Sequence, residues 1–122
     1  MSNNIVILYV EDDQSVREEM LEILELEFDN IHAAKNGEEG LEMYKKLNPD
    51  IVVSDVNMPI MDGMTMSREI FSLKADAKIL LITARDEDSF IAEMKELGIQ
   101  ECLHKPININ DLFTTIDKMS FL

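Results

Sequence analysis

The chain has 122 residues, of which 11 are lysine or arginine and 25 are aspartate or glutamate, so its formal net charge is −14 at pH 7. Such an acidic chain argues against a nucleic-acid partner, because binding phosphates needs clustered lysines and arginines. Hydrophobic residues make up 46% of the sequence, which at this length predicts one globular domain with a buried core.

The longest apolar run covers only residues 5–10, whereas a membrane-spanning helix needs about 20 residues. No basic segment leads into an apolar stretch near the N-terminus, so we expect no secretory signal. The single cysteine, Cys102, cannot form an intrachain disulfide, which is typical of a reducing compartment. These features predict a cytoplasmic protein without membrane insertion.

Short apolar runs alternate with amphipathic segments along the chain. The runs cover residues 5–10, 31–34, 51–53, 79–82 and 102–103. The first, third and fourth are continuous, as expected for strands buried on both faces. Five strands that alternate with five helices predict a parallel sheet with helices on both faces and right-handed crossovers.

Between the strands, apolar residues recur every three or four positions, which predicts helices with one buried face. These residues are Val16, Met20, Ile23, Leu24, Leu41, Tyr44, Leu47, Met66, Ile70, Leu73, Phe90, Met94, Leu97, Leu112, Ile116 and Met119. Asp13 and Asn36 are expected N-caps, and either Asn108 or Asn110 can cap the last helix, which is predicted to run nearly to the C-terminus. Gly98 stands where a helix should end.

Polar side chains follow four of the predicted strands. They are Glu11, Asp12 and Asp13 after the first strand, Asp55 after the third, Thr83 after the fourth, and Lys105 after the fifth. Ala84 follows Thr83 and offers a backbone N–H. Ligands of open parallel sheets bind beyond the carboxyl ends of the strands, so we expect these residues to converge. The first strand is not followed by glycines, which argues against nucleotide binding.

Each of these residue types suits phosphoryl transfer. Neighbouring carboxylates repel one another unless a cation joins them, and hard oxygen ligands are typical of Mg²⁺ sites. Asp55 is the natural nucleophile, and Lys105 can pair with a carboxylate or with a phosphoryl group added to it. The Thr83 hydroxyl and the Ala84 N–H can stabilise charge on a transferring phosphoryl group.

Four motifs in this order resemble the receiver domain of two-component response regulators. They are Glu11-Asp12, the stretch Asp-Val-Asn-Met-Pro-Ile-Met-Asp-Gly over residues 55–63, Thr83-Ala84 and Lys105-Pro106. The resemblance extends over residues 5–119. It implies a three-layer, flavodoxin-like α/β fold with a five-stranded parallel sheet of strand order 2-1-3-4-5. It also implies a single receiver domain over residues 1–122, with no output domain in this chain.

The resemblance implies that Asp55 accepts a phosphoryl group from a histidine kinase or a phosphotransfer protein. Mg²⁺ would be bound by Asp12, Asp55 and the backbone carbonyl of Asn57, with Glu11 acting mainly through water. Such a protein is not a conventional enzyme, since it assists only its own phosphorylation and dephosphorylation.

By the same resemblance, Thr83 would swing toward the phosphoryl group, Lys105 would pair with it, and the Lys105–Pro106 bond would be cis. Family members often have an aromatic residue three positions before the lysine, where this chain has Cys102. We therefore expect output to depend more on the loop after Thr83 and on the fourth helix.

A downstream protein partner would dock on the face formed by the fourth helix, the fifth strand and the fifth helix. The residues expected near that face are Phe90, Ile91, Cys102, His104 and Phe113. The protein would be a monomer or a weak homodimer.

Alternatives stay open at this stage. Singly, Asp55 could end a turn, Thr83 could be an ordinary strand-end hydroxyl, and Lys105 could be a solvated lysine. A hydrolase of the haloacid-dehalogenase type also uses an aspartate after a parallel strand, but Asn57 stands where its second aspartate should be. A pseudo-receiver would bind partners without phosphorylation and would not need all of these residues. The chain is either a stand-alone receiver or a domain of a larger regulator, and its start at Met1 weighs against an internal excision.

Overall fold

A computed structural model describes residues 4–120, and residues 1–3 and 121–122, which include the start and the end discussed above, lie outside the described part. Five strands alternate with five helices. In chain order they are β1 (Val6–Val10), α1 (Gln14–Leu24), β2 (Asn30–Ala34), α2 (Gly37–Leu47), β3 (Ile51–Asp55), α3 (Gly63–Leu73), β4 (Ile79–Thr83), α4 (Asp88–Leu97), β5 (Glu101–His104) and α5 (Ile109–Ser120).

All strand pairs are parallel, and the order across the sheet is β2-β1-β3-β4-β5. The predicted flavodoxin-like fold is therefore confirmed. Asp55 and Thr83 were expected just beyond their strands, but they are the last residues of β3 and β4. Their backbones still pair, Asp55 with Ile82 and Thr83 with His104.

The sheet separates two apolar cores, because successive residues of a strand point to opposite faces. Helices α1 and α5 cover one core, which contains Ile7, Tyr9, Met20, Leu24, Phe28, Ile51, Val53, Leu80, Ile82, Leu112, Ile116 and Met119. Helices α2, α3 and α4 cover the other, which is built on Leu8, Val10, Val52, Ile79, Leu81, Tyr44, Met64, Met66, Ile70, Phe90 and Met94. The continuous apolar runs of β1, β3 and β4 are thus packed on both sides, as predicted, whereas β2 and β5 are mostly partly buried.

Side-chain caps fix where the helices begin. Asp13 accepts a hydrogen bond from the Val16 N–H at 3.0 Å, and Asn36 accepts one from the Glu39 N–H at 2.8 Å. Asn108, rather than Asn110, caps α5 by accepting from the Asp111 N–H at 3.0 Å. At the other end of a helix, Gly98 follows α4 with φ of 108°, a conformation that favours glycine.

Two predictions about burial were wrong. Val16 and Leu73 continue the apolar spacing of their helices but are 40% and 56% exposed. Val16 lies in the first turn of α1, and Leu73 is the last residue of α3. Cys102 is partly buried, and its strand β5 is an edge strand. Within residues 4–120, no helix has the length and apolar character needed to cross a membrane.

Candidate functional site

The carboxyl ends of β1 and β3 bring three carboxylates together. Glu11 follows β1 directly, and its N–H donates to the Ala34 carbonyl at 3.1 Å, which holds the chain against β2. Asp55 ends β3, the strand on the other side of β1. One carboxylate oxygen from each of Glu11, Asp12 and Asp55 lies within 4.8 Å of the other two. We call these three residues the acidic cluster.

Lys105 brings an ammonium group to the acidic cluster from the β5 side. Its Nζ lies 2.8 Å from Asp55 Oδ1. Its backbone N–H donates to the Thr83 carbonyl at 2.9 Å, which continues the pairing of β4 and β5 by one residue. The hydrogen bond to Asp55 is the main reason that the pKa of Lys105 is raised, so the ammonium stays charged. The Lys105–Pro106 peptide bond is cis, as the resemblance implies.

Burial is the main reason that the pKa of Glu11 lies above its ordinary value, and the Asp55 carboxylate raises it further. The Asp13 N–H, which donates to Glu11 Oε2 at 3.0 Å, and the Lys105 ammonium oppose this rise. Burial also raises the pKa of Tyr9, and both carboxylates add to that effect. The protein groups around the acidic cluster therefore do not fully stabilise its negative charge.

The acidic cluster fits a small divalent cation. Its donors are carboxylate oxygens, the hard ligands that Mg²⁺ prefers. Glu11 and Asp55 are only 4% and 6% exposed, whereas Asp12 is exposed, so a cation bound there would keep some of its water. With all three carboxylates ionised, the cluster and the Lys105 ammonium have a formal net charge of −2, which one divalent cation would neutralise. Asn57 lies in the exposed loop two residues after Asp55, and its carbonyl stays a predicted ligand.

The start of α3 is packed tightly against the end of β3. The Gly63 N–H donates to the Val56 carbonyl at 2.8 Å, and the Val56 N–H donates to the Ile82 carbonyl at 3.2 Å. A Cβ atom on residue 63 would lie 2.4 Å from the Asp55 carbonyl oxygen, which is closer than side-chain atoms approach. Glycine at this position therefore allows α3 to begin in contact with the backbone of Asp55.

Thr83 is placed differently from the acidic cluster. Asp55 pairs with Ile82, so the next residue, Thr83, points to the opposite face of the sheet. The Thr83 hydroxyl is buried and accepts a hydrogen bond from the Arg85 N–H at 3.0 Å. Among the hydrogen bonds of residues 4–120, none joins Thr83 to Asp55. Ala84 follows Thr83 in an exposed position.

The loop after Thr83 is linked to α4 by Arg85. The Arg85 guanidinium carbon lies 4.2 Å from the centroid of the Phe90 ring, and its Nε lies 3.0 Å from Glu87 Oε1. Cys102 pairs with Leu81 in the neighbouring strand, and burial raises the pKa of its thiol. The large side chains near the loop therefore belong to α4 and to the loop itself rather than to residue 102.

Two of the residues expected near the docking face of α4, β5 and α5 pack against other side chains of this domain. Phe90 is buried beneath Arg85. Phe113 packs edge-on against Phe28, with ring centroids 6.1 Å apart, on the side of α5 that covers the α1 core. The remaining expected residues are partly buried or exposed: Ile91, Cys102 and His104.

Two residues, Arg17 in α1 and Ile60 in the loop between β3 and α3, were not predicted from the sequence. Arg17 donates from Nη1 to the Glu11 carbonyl at 2.8 Å and lies 3.4 Å from the Asp12 carbonyl. In the sequence, the position of this arginine in the first turn of a helix that follows an acidic loop could have indicated the contact. Ile60 is 75% exposed with φ of 72°, a left-handed conformation that β-branched residues rarely adopt, and nothing in its motif predicts this.

A doubly wound α/β domain with an acidic cluster and a paired lysine at the carboxyl edge of its sheet defines a class of signalling domains. The model of the family described as "Response regulator receiver domain" matches residues 7–117. The chain belongs to this family, which is not a conventional enzyme family.

Named relatives agree with this assignment. The chemotaxis protein CheY of Halobacterium salinarum is 36% identical over 100 residues, which cover 82% of this chain and 83% of that protein. The response regulator MprA of Mycobacterium leprae is 36% identical over 110 residues, which cover 90% of this chain but only 48% of MprA, so the chain spans about half of that regulator. The crystal structure of Vibrio cholerae CheY4 has a TM-score of 0.87 at 28% identity, over 94% of this chain and 98% of that one.

Proposed function

We propose that this chain is a single receiver domain over residues 1–122 that is phosphorylated on Asp55 in a two-component phosphorelay. The donor would be a sensor histidine kinase or a phosphotransfer protein, and the acceptor would work in the cytoplasm. The observation that carries the proposal is the acidic cluster with Lys105 bound to Asp55 at 2.8 Å. A partner-binding pseudo-receiver would not need a carboxylate held between an ammonium and two further carboxylates.

The chain's own groups account for the reaction. A carboxylate oxygen of Asp55 would form the bond to phosphorus as the bond from phosphorus to the donor's histidine nitrogen breaks. Glu11, Asp12, Asp55 and the Asn57 carbonyl would hold Mg²⁺, which supplies positive charge that neutralises the phosphoryl oxygens. Lys105 would pair with the product, and the contact between its ammonium and the acceptor carboxylate supports this role.

Thr83 and Ala84 would complete the site after phosphorylation. The Thr83 hydroxyl is hydrogen-bonded to the Arg85 N–H, so a rotation of this hydroxyl toward a phosphoryl group would break that bond. The Ala84 N–H would then donate to a second phosphoryl oxygen. This rotation would release the Arg85 N–H and move the loop that leads to α4, whose face with β5 and α5 would bind a downstream protein.

Intact-mass measurement tests the proposal. The protein is incubated with Mg²⁺ and acetyl phosphate, beside Asp55→Asn and a sample with EDTA. Asp76→Asn is the matched control, because its exposed carboxylate lies in the α3–β4 loop. We expect one added phosphoryl group on the wild type and on Asp76→Asn, and none on Asp55→Asn or with EDTA. Equal phosphorylation of Asp55→Asn, or no phosphorylation of folded wild type, would contradict the proposal.

A further inference from the structure

Arg17 reaches back from α1 to the loop that carries two residues of the acidic cluster. Its Nη1 donates to the Glu11 carbonyl at 2.8 Å, and the Asp12 carbonyl lies 3.4 Å from the same nitrogen. Arg17 is partly buried, and its backbone N–H donates to the Asp13 carbonyl at 2.9 Å, which fixes the helical turn from which the side chain extends. Among the ion pairs of residues 4–120, none includes Arg17. Its side-chain contacts are therefore with backbone rather than with a carboxylate.

The two carbonyls that Arg17 contacts have lost their neighbours in the sheet. The pairing of β1 with β2 ends at Val10 and Ala34, and its pairing with β3 ends at Val10 and Ser54. Beyond this point the backbone of Glu11 is held to β2 only through its N–H. A guanidinium suits this place, because the two N–H groups of its Nη1 lie in one plane and can be directed at two carbonyls.

We propose that Arg17 is a positioning residue for the metal site. It fixes the backbone of Glu11 and Asp12 so that their carboxylates face Asp55 before a cation binds. This inference rests on the proposed function, since it assigns Arg17 a part in preparing that same site for Mg²⁺. Groups that hold metal ligands in place commonly change metal affinity by about tenfold or more when they are removed.

Charge and position predict opposite effects at Arg17. The guanidinium is a positive charge beside a cation site, so its removal by charge alone would tighten the binding of Mg²⁺. Loss of the backbone contacts would leave two ligands free to move and would weaken it. Arg17→Lys keeps the charge but loses the planar guanidinium that holds the donors of Nη1 in place. The two variants therefore separate the two effects.

The experiment compares the Mg²⁺ affinity of the wild type, Arg17→Met, Arg17→Lys and Arg68→Met by isothermal titration calorimetry. Arg68 is the matched control, because its exposed guanidinium lies on α3 and pairs with Glu93 at 4.0 Å. We expect the Mg²⁺ dissociation constant to rise about tenfold for Arg17→Met and about threefold for Arg17→Lys, with Arg68→Met within about twofold of the wild type. If Arg17→Met does not fold, Arg17→Lys alone decides.

A second readout needs no metal. In EDTA, the carbonyl-carbon NMR shifts of Glu11 and Asp12 should change in Arg17→Met and stay unchanged in Arg68→Met. Unchanged or tighter Mg²⁺ binding in both Arg17 variants, with a wild type that binds Mg²⁺, would overturn the inference and leave the proposed function standing. A folded wild type that does not bind Mg²⁺ would overturn the metal site and the inference with it.

Discussion

The two halves of the sheet's carboxyl edge differ in how far they are assembled. In the first half, Glu11, Asp12 and Asp55 already lie together and Lys105 contacts Asp55. In the second half, the Thr83 hydroxyl is hydrogen-bonded to the Arg85 N–H of the loop before α4, and no hydrogen bond within residues 4–120 joins it to Asp55. We call these the acidic half and the threonine half.

This difference suggests how a receiver separates accepting a phosphoryl group from reporting it. The acidic half is held by backbone pairing, by the lysine and by the close approach of α3, so the proposed phosphorylation of Asp55 would need little movement there. In the threonine half, the Thr83 hydroxyl is hydrogen-bonded to the Arg85 N–H, and the Arg85 side chain stacks on Phe90 and pairs with Glu87. Its rearrangement is where a change at Asp55 would become a change at α4.

Gly63→Ala should break the acidic half most severely. The new Cβ atom would collide with the Asp55 carbonyl oxygen, so α3 must move away from β3. We expect urea unfolding in EDTA to show a loss of about 2 kcal/mol in the free energy of unfolding. Ser72→Ala, at an exposed position of the same helix, should change it by less than about 0.5 kcal/mol. Equal stabilities of the two variants would show that the close approach is not required.

Lys105→Met should change the affinity of the acidic half for Mg²⁺ in the opposite direction from Arg17→Met. The ammonium contacts a ligand carboxylate directly and competes with the cation for Asp55. Its removal should tighten Mg²⁺ binding about tenfold, the effect of a Coulomb repulsion of about 1–2 kcal/mol. Calorimetric titration beside Lys105→Arg, which keeps the charge, measures this. Weaker binding by Lys105→Met would mean that the lysine positions Asp55.

Glu11→Gln should stabilise the metal-free protein in a pH-dependent way. Because burial raises the pKa of Glu11, the folded state binds its proton more tightly than the unfolded state does. The wild type therefore loses stability as the pH rises from the ordinary pKa of glutamate through the raised pKa of the folded state. The glutamine variant escapes this loss, so its advantage in urea unfolding with EDTA should grow with pH.

The exposed substitution Glu22→Gln is the control for this pH dependence. Its effect on unfolding should be nearly constant across the same pH range. If the free energy of unfolding of Glu11→Gln differed from that of the wild type by a constant amount across this pH range, the pKa of Glu11 would not be raised in the metal-free fold.

Thr83→Val should have the smallest effect and should leave the acidic half intact. It removes the acceptor of the Arg85 N–H, at a cost of about 1 kcal/mol in the free energy of unfolding. The Mg²⁺ affinity should stay within about twofold of the wild type, because Thr83 does not contact the cluster. A larger change in affinity, measured by the same titration, would show that the two halves are coupled before phosphorylation.

Much of the fold followed from the sequence because its strands and helices have different apolar periods. Short continuous apolar runs such as residues 79–82 are typical of strands buried on both faces of a covered sheet, and their length is too short for a helix. The order of the strands came from the family resemblance, since no local pattern states which strand lies beside which. Val16 and Leu73 show the limit of periodicity, because an apolar spacing can extend past the end of the surface that buries it.

The residues of the candidate site could be predicted from the sequence, but most of the contacts between them could not. Strand ends locate Glu11, Asp55 and Lys105, since parallel strands end at one edge. The direction of the Thr83 hydroxyl and the contacts of Arg17 depend on side-chain rotation and on which acceptors are left without partners. A single sequence does not state either of these.

Backbone amide NMR tests the central claim most directly. Spectra of the labelled protein would be compared in EDTA, with Mg²⁺, and with Mg²⁺ plus beryllofluoride as a mimic of a phosphorylated aspartate. We predict that Mg²⁺ alone shifts the amides near Glu11, Asp12 and Asp55, and that only the mimic also shifts the segment from Thr83 to Phe90. If the mimic left the amide chemical shifts from Thr83 to Phe90 unchanged, this result would contradict the account.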